Sequence, residues 1–142
     1  MDNDAKPRIL IVDDEQDIRD MLSRHFRFLG YDVFGTASNG IEALQILKKE
    51  RVEVVISDLI MPKMNGVDLL KEIKTQYPMV HVIIITGYVT LNNLLTAMRR
   101  GADTCIFKPL DDLTELEEAV DHAVNQLKMW QNKLKTLMNM KR

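Results

Sequence analysis

VVISDLIMPKMNG, residues 54–66, runs three apolar residues and a serine into a lone acid, Asp58, and then into a proline and an Asn-Gly pair. A run rich in β-branched residues reads as a strand, and Pro62 with Asn65-Gly66 reads as the turn that follows it. An acid at such a tip has two readings. It is a solvated turn residue, or it is a charge delivered to a site.

The rest of the chain decides which. Short apolar runs lie at 8–12 (RILIV), 31–35 (YDVFG), 52–57 (VEVVIS), 80–85 (VHVIII) and 104–107 (TCIF), the third of them opening the stretch above. Those at 8–12 and 80–85 are almost continuously apolar, as central parallel strands covered on both faces are. The run at 31–35 alternates and suits an edge. Between the runs lie helical spacings: Ile18, Met21, Leu22, His25, Phe26 and Leu29, with Gly30 as a stop; Ile41, Leu44 and Leu47 behind a capping-box-like Asn39 and Glu42; Val67, Leu70 and Ile73; and Leu91, Leu94, Leu95 and Met98, with Gly101 after them. Asp112 and Glu115 mark the start of a long last helix. Five strand–helix repeats predict an α/β fold, a doubly wound five-stranded parallel sheet in the flavodoxin-like order 2-1-3-4-5 with an extended C-terminal helix.

In such a sheet ligands bind beyond the carboxyl ends of the strands, where the order reverses. The first strand ends in Asp13 and Asp14, the third in Asp58, the fourth in Thr86 and the fifth in Lys108-Pro109. Taken singly each has an ordinary explanation: a helix cap for Asp13-Asp14, a turn for Asp58, a loop for Thr86. Together they converge. Two bare charges about 4 Å apart repel by about 4 kcal/mol at an effective dielectric of ~20, so three carboxylates call for a cation. Oxygen ligands without a His or Cys cluster favour Mg²⁺ over zinc. His25, His81 and His122 form no ligand set and read as structural.

With these residues in order the chain resembles the response-regulator receiver domains of the CheY-like type. The resemblance rests on ILIVDDE (9–15), ISDLIMPKMNG (56–66), IIITG (83–87) and FKPL (107–110), and spans about residues 7 to 125. It implies a signalling domain that is no independent enzyme. Asp58 would be the phosphoacceptor, taking a phosphoryl group from a histidine kinase or phosphotransfer protein. Asp14, Asp58 and the backbone carbonyl of Ile60 would bind Mg²⁺ directly, and Asp13 through a bound water. Lys108 would offset the charge of the transferring group, Thr86 would turn inward to bond it, and Gly87 would leave it room. The resemblance also implies a cis Lys108-Pro109 bond. In many relatives an aromatic residue three before the lysine follows the threonine's switch; here that position is Cys105, a departure that puts the coupling in doubt. Ile60 and Tyr88, bulky and poor acids or bases, would flank the path of hydrolytic water and lengthen the phosphoryl lifetime. Two other classes compete. A haloacid-dehalogenase-like phosphatase also uses Asp, Mg²⁺ and Lys, but resembles a D-x-D pattern after its first strand; a flavodoxin-like binder would want a hydroxyl- and Gly-rich loop where DDEQD stands.

The receiver accounts for residues 1–125. Over 126–142 the helical pattern runs on: Leu113, Leu116, Val120, Ala123, Leu127, Trp130, Leu134 and Leu137 keep a heptad seam with no Gly or Pro. Positions to about Val124 fit a face packed on the sheet, which leaves Leu127 onward needing a partner. The expected one is the same helix of a second copy, as a parallel homodimer; a frayed amphipathic tail and a linker to a further domain of a larger protein are the other readings. A net charge of −2 gives no reason to expect direct nucleic-acid or membrane binding. One cysteine, a polar N-terminus and no apolar run near ~20 residues predict a cytoplasmic location.

Overall fold

The computed structural model describes residues 6–87 and 90–140. Strand β1 (Arg8–Val12) leads to helix α1 (Gln16–Phe28), β2 (Asp32–Ala37) to α2 (Gly40–Lys49), β3 (Val54–Asp58) to α3 (Gly66–Gln76), β4 (His81–Thr86) to α4 (Leu91–Arg99), and β5 (Thr104–Phe107) to α5 (Thr114–Met140). All strands pair in parallel, in the order β2-β1-β3-β4-β5. That is the predicted topology, with the alternating run on the edge.

Period-two alternation divides each central strand between two cores. Leu10, Val12, Val55, Val82 and Ile84 face α2, α3 and α4 through Leu47, Leu69, Leu70, Ile73 and Ala97. Ile9, Ile11, Val54, Ile56, Ile83 and Ile85 face α1 and α5 through Leu22, Phe26, Leu116 and Val120. Burial on both faces is why β1, β3 and β4 read as unbroken apolar runs.

Element ends differ from expectation by small, explicable amounts. β2 continues to Ala37, which pairs with Val12 and accepts a hydrogen bond from the Asp13 amide, so pairing extends the strand past its alternating segment. Asp58 and Thr86 are the last residues of their strands, held inside the ladder. Asn39 caps α2 by accepting from the Glu42 amide at 3.0 Å, but the Glu42 carboxylate accepts from the amide and hydroxyl of Ser38 rather than closing the box on Asn39. Gly30 ends α1 at φ +98°, left-handed backbone that favours glycine. Asp112 accepts from the Thr114 amide, so α5 begins two residues beyond Asp112. One core assignment is corrected: Leu127 is 7% exposed and belongs to the packed part of α5, because the helix covers the body for one turn past Val124. Every residue from 128 to 140 is exposed.

Candidate functional site

The three carboxyl-terminal strand ends converge as the topology requires. β1 lies between β2 and β3, so Asp13 and Asp58 leave adjacent strands side by side. Lys108 reaches them from the far side of β4. Its Nζ lies 3.0 Å from Asp58 Oδ2, 3.1 Å from Asp13 Oδ2 and 3.0 Å from Glu15 Oε2. Its amide donates to the Thr86 carbonyl at 2.8 Å, which ties the end of β5 to the end of β4, and the Lys108-Pro109 bond is cis, as expected.

The backbone fixes each carboxylate. Asp58 Oδ1 accepts from the Leu59 amide at 2.7 Å and lies 3.4 Å from that of Ile60, which leaves Oδ2 to face Lys108. Asp13 Oδ1 accepts from the Glu15 amide at 2.8 Å, and Arg19 donates to the Asp13 carbonyl at 2.7 Å. The turn after Asp58 depends on Gly66: a Cβ there would lie 2.2 Å from the Asp58 carbonyl oxygen and 2.7 Å from Leu59 Cα. That close approach lets the Gly66 amide donate to the Leu59 carbonyl at 2.7 Å. Lys63 takes up the remaining strain of the loop at φ +65°. Loop and helix then lock together, with the Gly40 amide donating to the Met64 carbonyl.

Electrostatically the site is an acidic cluster, buried at Asp13 and Asp58 and exposed at Asp14 and Glu15, facing the Lys108 ammonium. Asp13 is fully buried, and Asp58 and Thr86 nearly so. Burial pushes the Asp13 carboxyl above its usual range, against the hydrogen bond from Glu15 and the charge of Lys108, and Asp58 adds to the rise. Burial works against the Lys108 charge, yet hydrogen bonds to Glu15 and Asp58 and the charges of Asp58 and Asp13 outweigh it and raise its pKa. The lysine is therefore a permanent ammonium.

One oxygen from each of Asp13, Asp14, Glu15 and Asp58 lies within 4.8 Å of all the others. Four carboxylates against one ammonium leave three negative charges unopposed in that space. Asp13 Oδ2 is buried and, although Lys108 is 3.1 Å away, receives no hydrogen bond of good geometry. An oxygen-only cluster with a buried acceptor to spare fits a hard divalent cation such as Mg²⁺.

Of the residues predicted for the site, Asp13, Asp14, Asp58 and Lys108 are brought together, with Thr86 buried at the neighbouring strand end. Ile60 stands at the mouth with its side chain half exposed. Cys105, in register with Ile84 and so two strand positions short of Thr86, is partly buried against the α2–α3–α4 core, its thiol pushed up by burial. Phe107, in register with Thr86, is half exposed. Tyr88 lies outside the described residues. Sequence reasoning gave Glu15 no role, yet it bonds Lys108 across 93 positions. Its signal was present: it is the third consecutive acid after β1, and as N-cap of α1 its side chain makes no cap hydrogen bond.

The response regulator receiver domain family matches residues 9–121. The chain is 40% identical over 113 residues to the sporulation initiation phosphotransferase F of Bacillus subtilis, covering 80% of this chain and 90% of that protein. It is 38% identical to the regulatory protein AtoC of Escherichia coli over 82% of its own length, but spans only 25% of that longer protein. Among solved structures, a CheY-like receiver domain protein of Methanospirillum hungatei superposes with a TM-score of 0.83 at 30% identity, covering 88% of this chain and 98% of that one. A CheX–CheY–BeF₃–Mg²⁺ complex of Borrelia burgdorferi gives 0.78 at 30% identity, covering 84% of this chain and 90% of the matched chain. This chain belongs to the response regulator receiver domain family of two-component signalling. A receiver is a phosphoacceptor signalling domain that binds Mg²⁺, and this assignment displaces the dehalogenase-like phosphatase as the alternative.

Proposed function

We propose that Asp58 is the phosphoacceptor of this receiver. The observation that carries the reading is the Lys108 ammonium held 3.0 Å from Asp58 and 3.1 Å from Asp13 at the sheet's carboxyl edge. The Asp58 carboxylate attacks phosphorus of a phosphohistidine on a kinase or phosphotransfer protein. The O–P bond forms as the P–N bond breaks, and the imidazole leaves with a proton from solvent. Little covalent help is needed from the protein, so positioning and charge dominate. Asp13, Asp14, Asp58 and the Ile60 carbonyl would hold Mg²⁺, with Glu15 at the rim. The bound ion would offset charge on the transferring oxygens. Lys108 shares that task, and Thr86, already tied through its carbonyl to Lys108, would bond the arriving phosphoryl oxygen. Cys105, small where relatives place an aromatic, would leave the switch to Thr86 and its loop.

The test is intact mass after incubation with an acyl phosphate and Mg²⁺. Wild type gains one phosphoryl group and Asp58→Asn gains none; a gain retained by the variant overturns the assignment.

Residues 1–125 form the receiver in this reading, and 126–142 an extension through which two copies associate. Trp130, Leu134 and Leu137 are each at least half exposed on a projecting stretch of 13 residues. A helix of that length is marginal alone in water, so a partner face stabilises it. Among the described residues no helix is long and apolar enough to cross a membrane, which supports a cytoplasmic setting. Nothing in the charge pattern of the receiver body calls for nucleic acid.

A further inference from the structure

Charge is segregated along this chain. All 21 acids precede residue 122, whereas five of the 19 Lys and Arg follow it. The body to residue 121 therefore carries 14 − 21 = −7, and the remainder carries +5. The cationic remainder bears the exposed stripe of Trp130, Leu134 and Leu137.

The direction of that stripe restricts what can cover it. At about 100° per residue, the buried Leu116, Val120, Ala123 and Val124 point within about 60° of Leu127. On the same scale Trp130, Leu134 and Leu137 point about 60°, 20° and 80° to one side of it. The exposed stripe thus faces the side on which the receiver body lies, just past the body's end. A flat bilayer on that side would run into the body. A slender helix fits. A parallel second copy does not, since its own α5, about 8–10 Å away on the body side, would pass through the first body at the height of residues 116–127.

From the self-association reading above, we infer that two copies pair antiparallel through residues 128–140 of α5, centred near Leu134. The second helix then enters from the end of α5 remote from the body, and the bodies sit at opposite ends of a short stem. Leu134 meets its counterpart, and Trp130 lies beside Leu137 and Met138 of the other copy. The arrangement also matches charge. Each cationic tail runs toward the other copy's body, whose net charge is negative. A parallel stem would instead bring Lys128, Lys133 and Lys135 level with their counterparts.

The test uses the full chain in a Cys105→Ser background with Glu118→Cys carrying a spin label, and reads the distance between labels. Antiparallel pairing centred at Leu134 separates the labels by 32 residues of helix rise, about 48 Å. Parallel pairing leaves them at one height, roughly 20–30 Å apart. Sedimentation of the same chain, with and without Leu134→Glu, separates the two readings, and circular dichroism checks that the variant folds. A dimer lost on Leu134→Glu with labels near 48 Å supports the inference. A dimer lost on Leu134→Glu with short distances keeps self-association and overturns the antiparallel order. A chain that stays monomeric, or a dimer that survives Leu134→Glu, overturns both.

Discussion

Asp13 is where the site's function is opposed to its stability. Its side chain is fully buried and its carboxyl is pushed up, so ionising it in the folded state costs free energy. Between the ordinary carboxylate value and the raised one, the folded chain holds a proton that the unfolded chain has released. Stability from this group therefore falls as pH rises through that window. In chelator, Asp13→Asn is expected to flatten that slope and raise the thermal midpoint at neutral pH by about 2–5 °C, roughly 1 kcal/mol for a domain of this size. An unchanged or lowered midpoint would show that the ion pair with Lys108 outweighs burial. At Gly66 the cause is steric. A methyl group 2.2 Å from the Asp58 carbonyl must displace backbone, so Gly66→Ala should lose about 3 kcal/mol in denaturant unfolding and blunt phosphorylation together. At the mouth, Ile60→Asn should shorten the phosphoryl lifetime, followed as loss of the mass-shifted species. An unchanged decay would remove Ile60 from any role in excluding water.

Helix α5 is one element with two environments. Its first half is docked through Leu116, Val120, Ala123, Val124 and Leu127, and residues 128 to 140 are exposed. The heptad spacing runs unchanged across that boundary, so periodicity alone placed the break at Val124, one turn early. Leu127→Ala should cost about 2–4 kcal/mol of unfolding free energy, as buried leucine truncations do. Leu134→Ala, measured at dilution, should stay within about 0.5 kcal/mol. Equal effects would mean that Leu127 is no part of the core. The caps were easier to foresee. Asn39 followed three residues on by Glu42 predicts an N-terminus, and the Asn39 bond is there. The carboxylate's choice of Ser38 follows from the local path of the chain, which no dipeptide pattern encodes.

For the molecule as a whole, the unopposed negative charge predicts a cation-dependent stability. A ligand that binds only the folded state adds RT ln(1 + [L]/Kd), about 2.7 kcal/mol at a hundredfold excess over Kd. Saturating Mg²⁺ should therefore raise the wild-type thermal midpoint by several degrees and leave Asp13→Asn nearly unmoved; an equal rise in both would place the ion elsewhere. The sequence by itself determined the sheet order and the four strand ends that build the site. Apolar runs buried on both faces, and acids, threonine and lysine at their tips, are local signals, and right-handed crossovers leave few ways to arrange them. Tertiary structure alone decided three matters. Glu15 joins the lysine cluster because the N-cap of α1 faces the end of β5, a contact between residues far apart in the chain. Gly66 is indispensable because two backbone segments meet there. The exposed stripe of α5 points to the body's own side because the helix docks before it projects, and direction in space is what a heptad pattern leaves open.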